Sequence, residues 1–231
     1  MLKELKNKIK AIPIIYKTYM WIKRKTILKW EHNKKVRVFH KNGYIVLDQV
    51  ERELAKSELK TFISFGTLLG FVREKAIIAY DDDIDICIIN QNCDEWAKLN
   101  SVMKKCEMKK TREIFLKGNV VISTYSKNGV NIDFYLFDMI EGKPVTYSFL
   151  PLKDYIYKGE LCERFRVIEY HYPIVQELEE KTIHDTFLIL PKNAMEIIKF
   201  LYGEEWNIPD RKFSDATNAK YIEKIKIITY Q

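Results

Sequence analysis

Four carboxylates fall within five residues at Asp81-Asp82-Asp83-Ile84-Asp85, and an apolar stretch from Ile84 to Ile89, with Cys87 inside it, follows directly. The pattern predicts a short buried strand with acids crowded at its mouth. Mutual repulsion and desolvation push protons onto such acids unless a cation sits among them. Carboxylate oxygens are the hard ligands that Mg²⁺ and Mn²⁺ prefer. Asp83 and Asp85 are two apart, so on an extended strand both point to one face and can hold one or two divalent ions. An acidic run by itself is more often a solvated loop or a helix N-terminus. Two other segments weigh against that reading.

Upstream, Phe62-Ile63-Ser64-Phe65 reads as a strand that runs into Gly66-Thr67-Leu68-Leu69-Gly70-Phe71-Val72-Arg73. A strand, a Gly-Thr turn and a helix form a phosphate-binding arrangement: Gly66 lets the backbone approach, Thr67 caps the helix or donates to an anion, and the helix N-terminus favours negative charge. Arg73 is placed to grip a phosphate with two parallel hydrogen bonds. Taken singly, capping by Thr67 and a surface position for Arg73 are the ordinary readings. Downstream, Val130-Asn131-Ile132-Asp133-Phe134-Tyr135-Leu136-Phe137-Asp138 reads as a strand with Asp133 set among apolar residues. A carboxylate there needs a partner or a metal. Asp138, at the end of the run, reads as the start of a turn.

Together these segments resemble the LicD/fukutin family of the nucleotidyltransferase-fold superfamily. The resemblance is carried by Gly66-Thr67-Leu68-Leu69-Gly70, Arg73, residues 80–86 and Ile132-Asp133-Phe134. Leu190-Pro191-Lys192-Asn193 and Leu201-Tyr202-Gly203-Glu204-Glu205-Trp206 with Pro209 extend it, so that it covers residues 46–209. The chain departs from the family pattern at Phe65, where members often carry a further Gly, and at Glu74, Ala76 and Ala79-Tyr80. These departures bear on the acceptor or donor pocket more than on the metal chemistry.

The resemblance implies an α+β fold: a nucleotidyltransferase-like mixed β-sheet with flanking helices, a basic N-terminal helical arm and a C-terminal helical part. It also implies a metal-dependent phosphotransferase. Such an enzyme moves phosphocholine or a polyol phosphate from CDP-choline, CDP-ribitol or CDP-glycerol to a hydroxyl of a cell-surface glycan or its lipid-linked precursor. On that reading Asp83 and Asp85 are the principal Mg²⁺ or Mn²⁺ ligands, and Asp133 is a third ligand or the general base. Asp81 joins the metal set or, with Asp82, supports it or touches the acceptor. Gly66 and Thr67 hold donor phosphates, and Arg73 stabilises charge or braces the loop. Two alternatives share the same residues: a nucleotidyltransferase acting with an NTP on a sugar, protein or other acceptor, and a non-catalytic scaffold.

The remaining sequence bounds the setting. An apolar fraction of 47% over 231 residues is ample for a core. Cys87, Cys93, Cys106 and Cys162 show neither metal-ligand spacing nor a disulfide framework, which favours a reducing compartment. Residues 1–37 carry 12 Lys or Arg against Glu4 and Glu31, a balance of +10, which leaves 27 basic against 30 acidic residues, or −3, for 38–231. Basicity confined to an arm gives no reason to expect a nucleic-acid partner. No apolar run in that arm approaches the ~20 residues of a membrane span, and Lys17 and Lys23 to Lys25 break any signal-peptide pattern. Interleaved with Tyr16, Tyr19, Trp21 and Trp30, these charges suit either an anionic membrane surface or a helix packed on the domain with its lysines in water. The expected organisation is an arm over 1–37 and a catalytic domain over 38–231, cytoplasmic and peripheral on the inner face of the membrane.

Periodicity predicts helices over 2–10, 14–30, 46–59, 94–106 and 191–202, the last capped by Gly203. It predicts strands over 36–39, 108–114, 120–125 and 130–137. Asn128-Gly129 predicts a hairpin, and 142–172 reads as aromatic-rich loops.

Overall fold

The computed structural model describes residues 18, 28–91, 94–152, 164–210, 213, 220–223 and 225–230. The helix expected over 2–10, the helix expected over 14–30 apart from residues 18 and 28–30, and Cys93 and Cys162 lie outside the described residues.

The first described element is the helix α1, Leu28–Ala55. Its inward stripe, Phe39, Val46, Leu47, Val50 and Leu54, is wholly buried and recurs at three- and four-residue steps. The expected strand over 36–39 is therefore corrected to helix. Val36-Arg37-Val38-Phe39 alternates for four residues, but the longer 3.6-residue period governs. The helix begins well before residue 46 and runs unbroken across 37–38.

The sheet is mixed and built round β5, Val130–Ile140. β4, Asn119–Lys127, pairs with it antiparallel through the hairpin at Asn128-Gly129, as the turn signal predicts. β2, Ile84–Ile89, pairs with it in parallel. β1, Thr61–Ile63, completes that side against β2. On the other side of the path, β3, Lys109–Leu116, pairs with β4, and β11, Lys226–Thr229, with β3. β6, Lys143–Pro151, pairs with the end of β5; β7, Phe165–His171, pairs with β6; β10, Tyr221–Glu223, pairs with β7. Most of 142–172 that is described is thus strand rather than loop. Tyr170 in β7 and Tyr172 just after it are buried while His171 between them is exposed.

Three more helices, α2 (Phe65–Arg73), α3 (Glu95–Lys105) and α4 (Ala194–Tyr202), cover the sheet with α1. The hairpin of β8, Leu178–Ile183, and β9, Thr186–Pro191, packs on α1. Pro191 ends β9 instead of opening the last helix. The C-terminal helical part expected from the sequence holds α4, and after it described residues 221–223 and 226–229 are strands. One core joins α1, β1, β2, β5, α3 and α4, and a smaller one gathers Ile114, Leu116, Val121, Ile122, Phe165, Val167 and Ile225.

Glu51 sits in the main core on α1, fully buried. One carboxyl oxygen accepts the Ile189 N–H at 2.6 Å, and the other has no hydrogen-bond partner. Burial pushes its pKa up to about 8 from an ordinary 4.5. A carboxyl that keeps its proton longer when folded contributes stability that is complete below the unfolded value and lost as pH rises through the folded one. Glu51→Gln keeps the acceptor without the charge. Its melting temperature should match that of the parent near pH 4 and exceed it by several degrees near pH 9, measured by differential scanning calorimetry; equal melting temperatures at both pH values would refute the buried acid.

Candidate functional site

The site begins at the junction of β1 and α2. Phe65 has φ of +46°, a strained value for a bulky residue. Its ring is packed against Tyr135, Tyr170 and Tyr172, which hold it there. The turn is clasped to the acidic strand at one residue: Ser64 N–H donates to the Asp85 carbonyl at 3.0 Å, and Asp85 N–H donates to Thr67 Oγ1 at 2.9 Å. Thr67 therefore spends an acceptor position on the neighbouring strand rather than on capping α2. Ser64 occupies the N-cap position without a side-chain cap bond; its hydroxyl meets the Tyr172 hydroxyl at 3.1 Å.

The two glycines have separate duties. A Cβ on Gly66 would lie 3.1 Å from an Asp81 carboxyl oxygen, and one on Gly70 would lie 2.5 Å from the Ala76 carbonyl. Gly70 lets the chain double back beneath α2, and Gly66 lets Asp81 close over the turn. Asp81, Gly66 and Arg73 then line a cleft of about 310 Å³ with Tyr80, Tyr202, Trp206, Phe213, Glu205 and Asp210. Arg73 pairs with Glu74 at 2.6 Å and donates to the Trp206 carbonyl at 3.4 Å, bracing the 203–208 turn against α2.

Beside the cleft, parallel pairing of β2 and β5 sets Asp85 opposite Asp133. Asp83 lies close enough to both that each charge disfavours the next. Burial first, then Asp133 and Asp82, raise the Asp83 pKa to about 6. Burial, Asp83 and Asp133 raise Asp85 well above the usual carboxylate range, although the Tyr135 hydroxyl bonds to it. Burial, Asp83 and Asp82 raise Asp81 to about 7. Asp82 turns away to α1, where Lys35 Nζ lies 2.9 Å and His32 Nδ1 3.5 Å from it.

Asp133 already has donors on both oxygens: Thr124 Oγ1 on Oδ1 at 2.5 Å and Arg112 Nη2 on Oδ2 at 2.8 Å. The chemistry of Asp83 and Asp85, two half-buried acids whose charges disfavour each other, fits a divalent cation. Among the described residues, no three His, Cys, Asp or Glu side chains converge as a ligand set. Asp81, Asp83, Asp85 and Asp133 are thus neighbours, but they do not form a closed cage. Asp138, expected in a turn, lies within β5 and accepts from Asn90 Nδ2 at 2.6 Å.

Arg112, Thr124, Tyr135 and Tyr172 belong to this neighbourhood and were not legible in the sequence. They are single residues in strands, and nothing in local spacing separates them from other half-buried polar or aromatic positions.

The family model described as LicD/FKTN/FKRP, nucleotidyltransferase domain, matches residues 58–193, more than half of the chain. An uncharacterized protein of Rickettsia prowazekii (strain Madrid E) is 38% identical over 65 residues, which is 27% of this chain and 24% of that protein. Another, from Rickettsia typhi (strain ATCC VR-144 / Wilmington), is 41% identical over 49 residues, 21% of this chain and 16% of its own. The chain spans about a quarter or less of the curated relatives it matches.

The raised carboxyls have a measurable consequence. Asp83 and Asp85 hold protons longer folded than unfolded, so in the absence of a cation their contribution is complete at low pH and is lost as pH climbs past the folded values. In EDTA at pH 8, Asp85→Asn should melt no lower than the parent chain. Added Mg²⁺ or Mn²⁺ should raise the parent's melting temperature and leave that of the variant nearly unmoved in the same scans; a lower-melting variant in EDTA would contradict the unneutralised cluster.

Proposed function

The chain belongs to the LicD/FKTN/FKRP nucleotidyltransferase-domain family, and from that premise we propose that it is a phosphotransferase that modifies a glycan, taking a phospho-alcohol from a CDP-alcohol. The observation that carries the reading is the union of two halves: the paired acids Asp83 and Asp85, and a cleft holding Gly66, Arg73 and Asp81 beside them. Phosphoryl transfer asks a protein chiefly for positioning and for neutralisation of charge on the diphosphate. Asp83 and Asp85 are the residues that would hold Mg²⁺ or Mn²⁺, which when bound supplies that neutralisation. Gly66 and the N-terminus of α2 offer backbone donors to the donor's diphosphate. Arg73 acts through its hold on the 203–208 turn. Asp133 stands next to the pair and, held by Arg112 and Thr124, is the fixed carboxylate of the three.

The walls of the cleft favour one alcohol. Tyr80, Tyr202, Trp206 and Phe213 supply ring faces, and Asp81, Glu205 and Asp210 supply carboxylates. Ring faces and carboxylates attract a quaternary ammonium more than a polyol, so CDP-choline is the proposed donor. The acceptor is a hydroxyl of a cell-surface glycan or its lipid-linked precursor.

A membrane-surface location follows from the same logic. Trp30, Lys34, Arg37, Val38, Lys41 and Ile45 recur at helical steps on one exposed side of α1, with Trp30 64%, Val38 36% and Ile45 73% exposed. Exposed apolar side chains interleaved with cations suit an anionic lipid surface, and the basic residues before position 28 add to that charge. None of the described helices is long and apolar enough to cross a membrane.

Release of CMP from CDP-choline, CDP-glycerol and CDP-ribitol, with Mg²⁺ or Mn²⁺, tests the reading. CDP-choline should be turned over fastest. Asp83→Asn should fall to background with its fold intact, and Trp206→Ala should raise the donor KM by about tenfold. Turnover by Asp83→Asn, or a response to CTP or ATP alone, would shift the chain to another chemistry. In sedimentation with phosphatidylglycerol vesicles, Trp30→Ala/Ile45→Ser should bind several times more weakly than the parent chain; no pelleting of the parent with these vesicles would remove the lipid reading, and equal pelleting with neutral phosphatidylcholine vesicles would remove its anionic preference.

A further inference from the structure

We propose that Arg112 takes Asp133 out of the metal-ligand set, so that the carboxylate site holds one divalent cation, on Asp83 and Asp85, rather than two. The proposal rests on the reading above only for the identity of the site.

The argument starts from strand register. Arg112 faces Thr124 across β3 and β4, Thr124 faces Asp133 across β4 and β5, and Asp133 faces Asp85 across β5 and β2. Residues in register share a face of the sheet, so these four form one transverse polar row. Arg112 joins it through an irregularity. Lys110 opposes Tyr125 and Arg112 opposes Thr124, so Thr111 is an extra residue. Without that bulge Arg112 would be turned to the other face. A bulge beside a reactive site is a common way of re-aiming a side chain.

The row closes on itself. Arg112 Nε donates to Thr124 Oγ1 at 3.0 Å and Nη2 donates to Asp133 Oδ2 at 2.8 Å, while Thr124 Oγ1 donates to Asp133 Oδ1 at 2.5 Å. β3 lies between β4 and β11, with Thr229 opposite Arg112, so the guanidinium is mounted on an interior strand. A divalent ion on either oxygen of Asp133 would come within a few ångströms of that guanidinium and be repelled by it. Among the described residues, neither Asp83 nor Asp85 forms an ion pair of that kind; Asp85 receives the Tyr135 hydroxyl instead. Arg112 on this account is a positioning residue that does the work of a second ion.

The test is Mn²⁺ binding by the full chain, stripped with EDTA, with free Mn²⁺ followed by electron paramagnetic resonance and no substrate present. The parent chain should bind one Mn²⁺, and Asp83→Asn should weaken it more than tenfold. Asp133→Asn should keep one ion within about threefold of the parent Kd. Arg112→Met should release Asp133 and either tighten Mn²⁺ about tenfold or admit a second ion, even if its melting temperature falls; a merely structural arginine would not tighten the metal. Arg112→Lys should lie between, and Arg112→Met/Asp133→Asn should return to parental binding. Two ions on the parent chain, none at all, loss of the ion in Asp133→Asn with unchanged circular dichroism, or weaker binding in Arg112→Met would each overturn the proposal. Absence of CMP release with Mn²⁺ binding intact would instead count against the transfer reaction and leave the single-ion site standing.

Discussion

The parallel pairing of β2 with β5 is the constraint on which the rest of the site depends. It sets Asp85 opposite Asp133, and a slip of one residue would send one of them to the other face of the sheet. A parallel pair cannot be joined by a tight turn. The connection between these two strands accordingly runs through α3, β3 and β4, and that detour delivers Thr124 and Arg112 to the row. Next to this pairing, Asp85 is clasped from behind by Ser64 and Thr67. One residue therefore joins the turn of α2, the acidic strand and β5.

The clasp also explains the local strain. Phe65 takes φ of +46° at the position where the sequence departs from the glycine often seen in its family. Glycine would adopt that conformation without steric conflict. Here three tyrosine rings hold the phenylalanine in it, and Tyr172 additionally bonds to Ser64 one residue earlier. The turn is rigid because aromatic packing and backbone bonds agree, not because the backbone is relaxed. Sites that bind anions through backbone donors gain from such fixity, since nothing must be ordered on binding.

The parts of this arrangement that were legible in the sequence are those with short-range causes. The acidic run, the Gly-Thr turn and Asp133 among apolar neighbours were readable because charge in an apolar strand and glycine before a helix are unusual within a few residues. The Asn128-Gly129 hairpin was readable for the same reason. Long-range effects escaped. Val36 to Phe39 alternates like a strand over four residues; the longer helical period of the Phe39 to Leu54 stripe and packing on the β4–β5 hairpin, where Asn42 bonds to the Asn128 carbonyl at 2.7 Å, together favour the long helix. The strands β6 and β7 were obscured by Pro144 and Pro151 and by crowded aromatics. Arg112 was invisible because its aim depends on a bulge, which no local pattern announces. Thr67 was read as a cap or phosphate ligand, whereas part of its hydrogen-bonding capacity goes to a strand 18 residues away.

The pairing of β11 with β3 carries a consequence for synthesis. β3 holds Arg112, and among the described residues its outer edge is paired by residues 226–229, with the Tyr230 N–H reaching the Thr111 carbonyl at 2.8 Å. A nascent chain has β2, β3, β4 and β5 outside the ribosome long before those residues emerge. During that interval β3 presents a bare row of backbone donors and acceptors, the kind of edge on which other chains dock and aggregate. Until residues 226–229 pair with it, the strand that carries Arg112 is an edge strand; once they do, it becomes an interior strand and the four-residue β11 takes the edge.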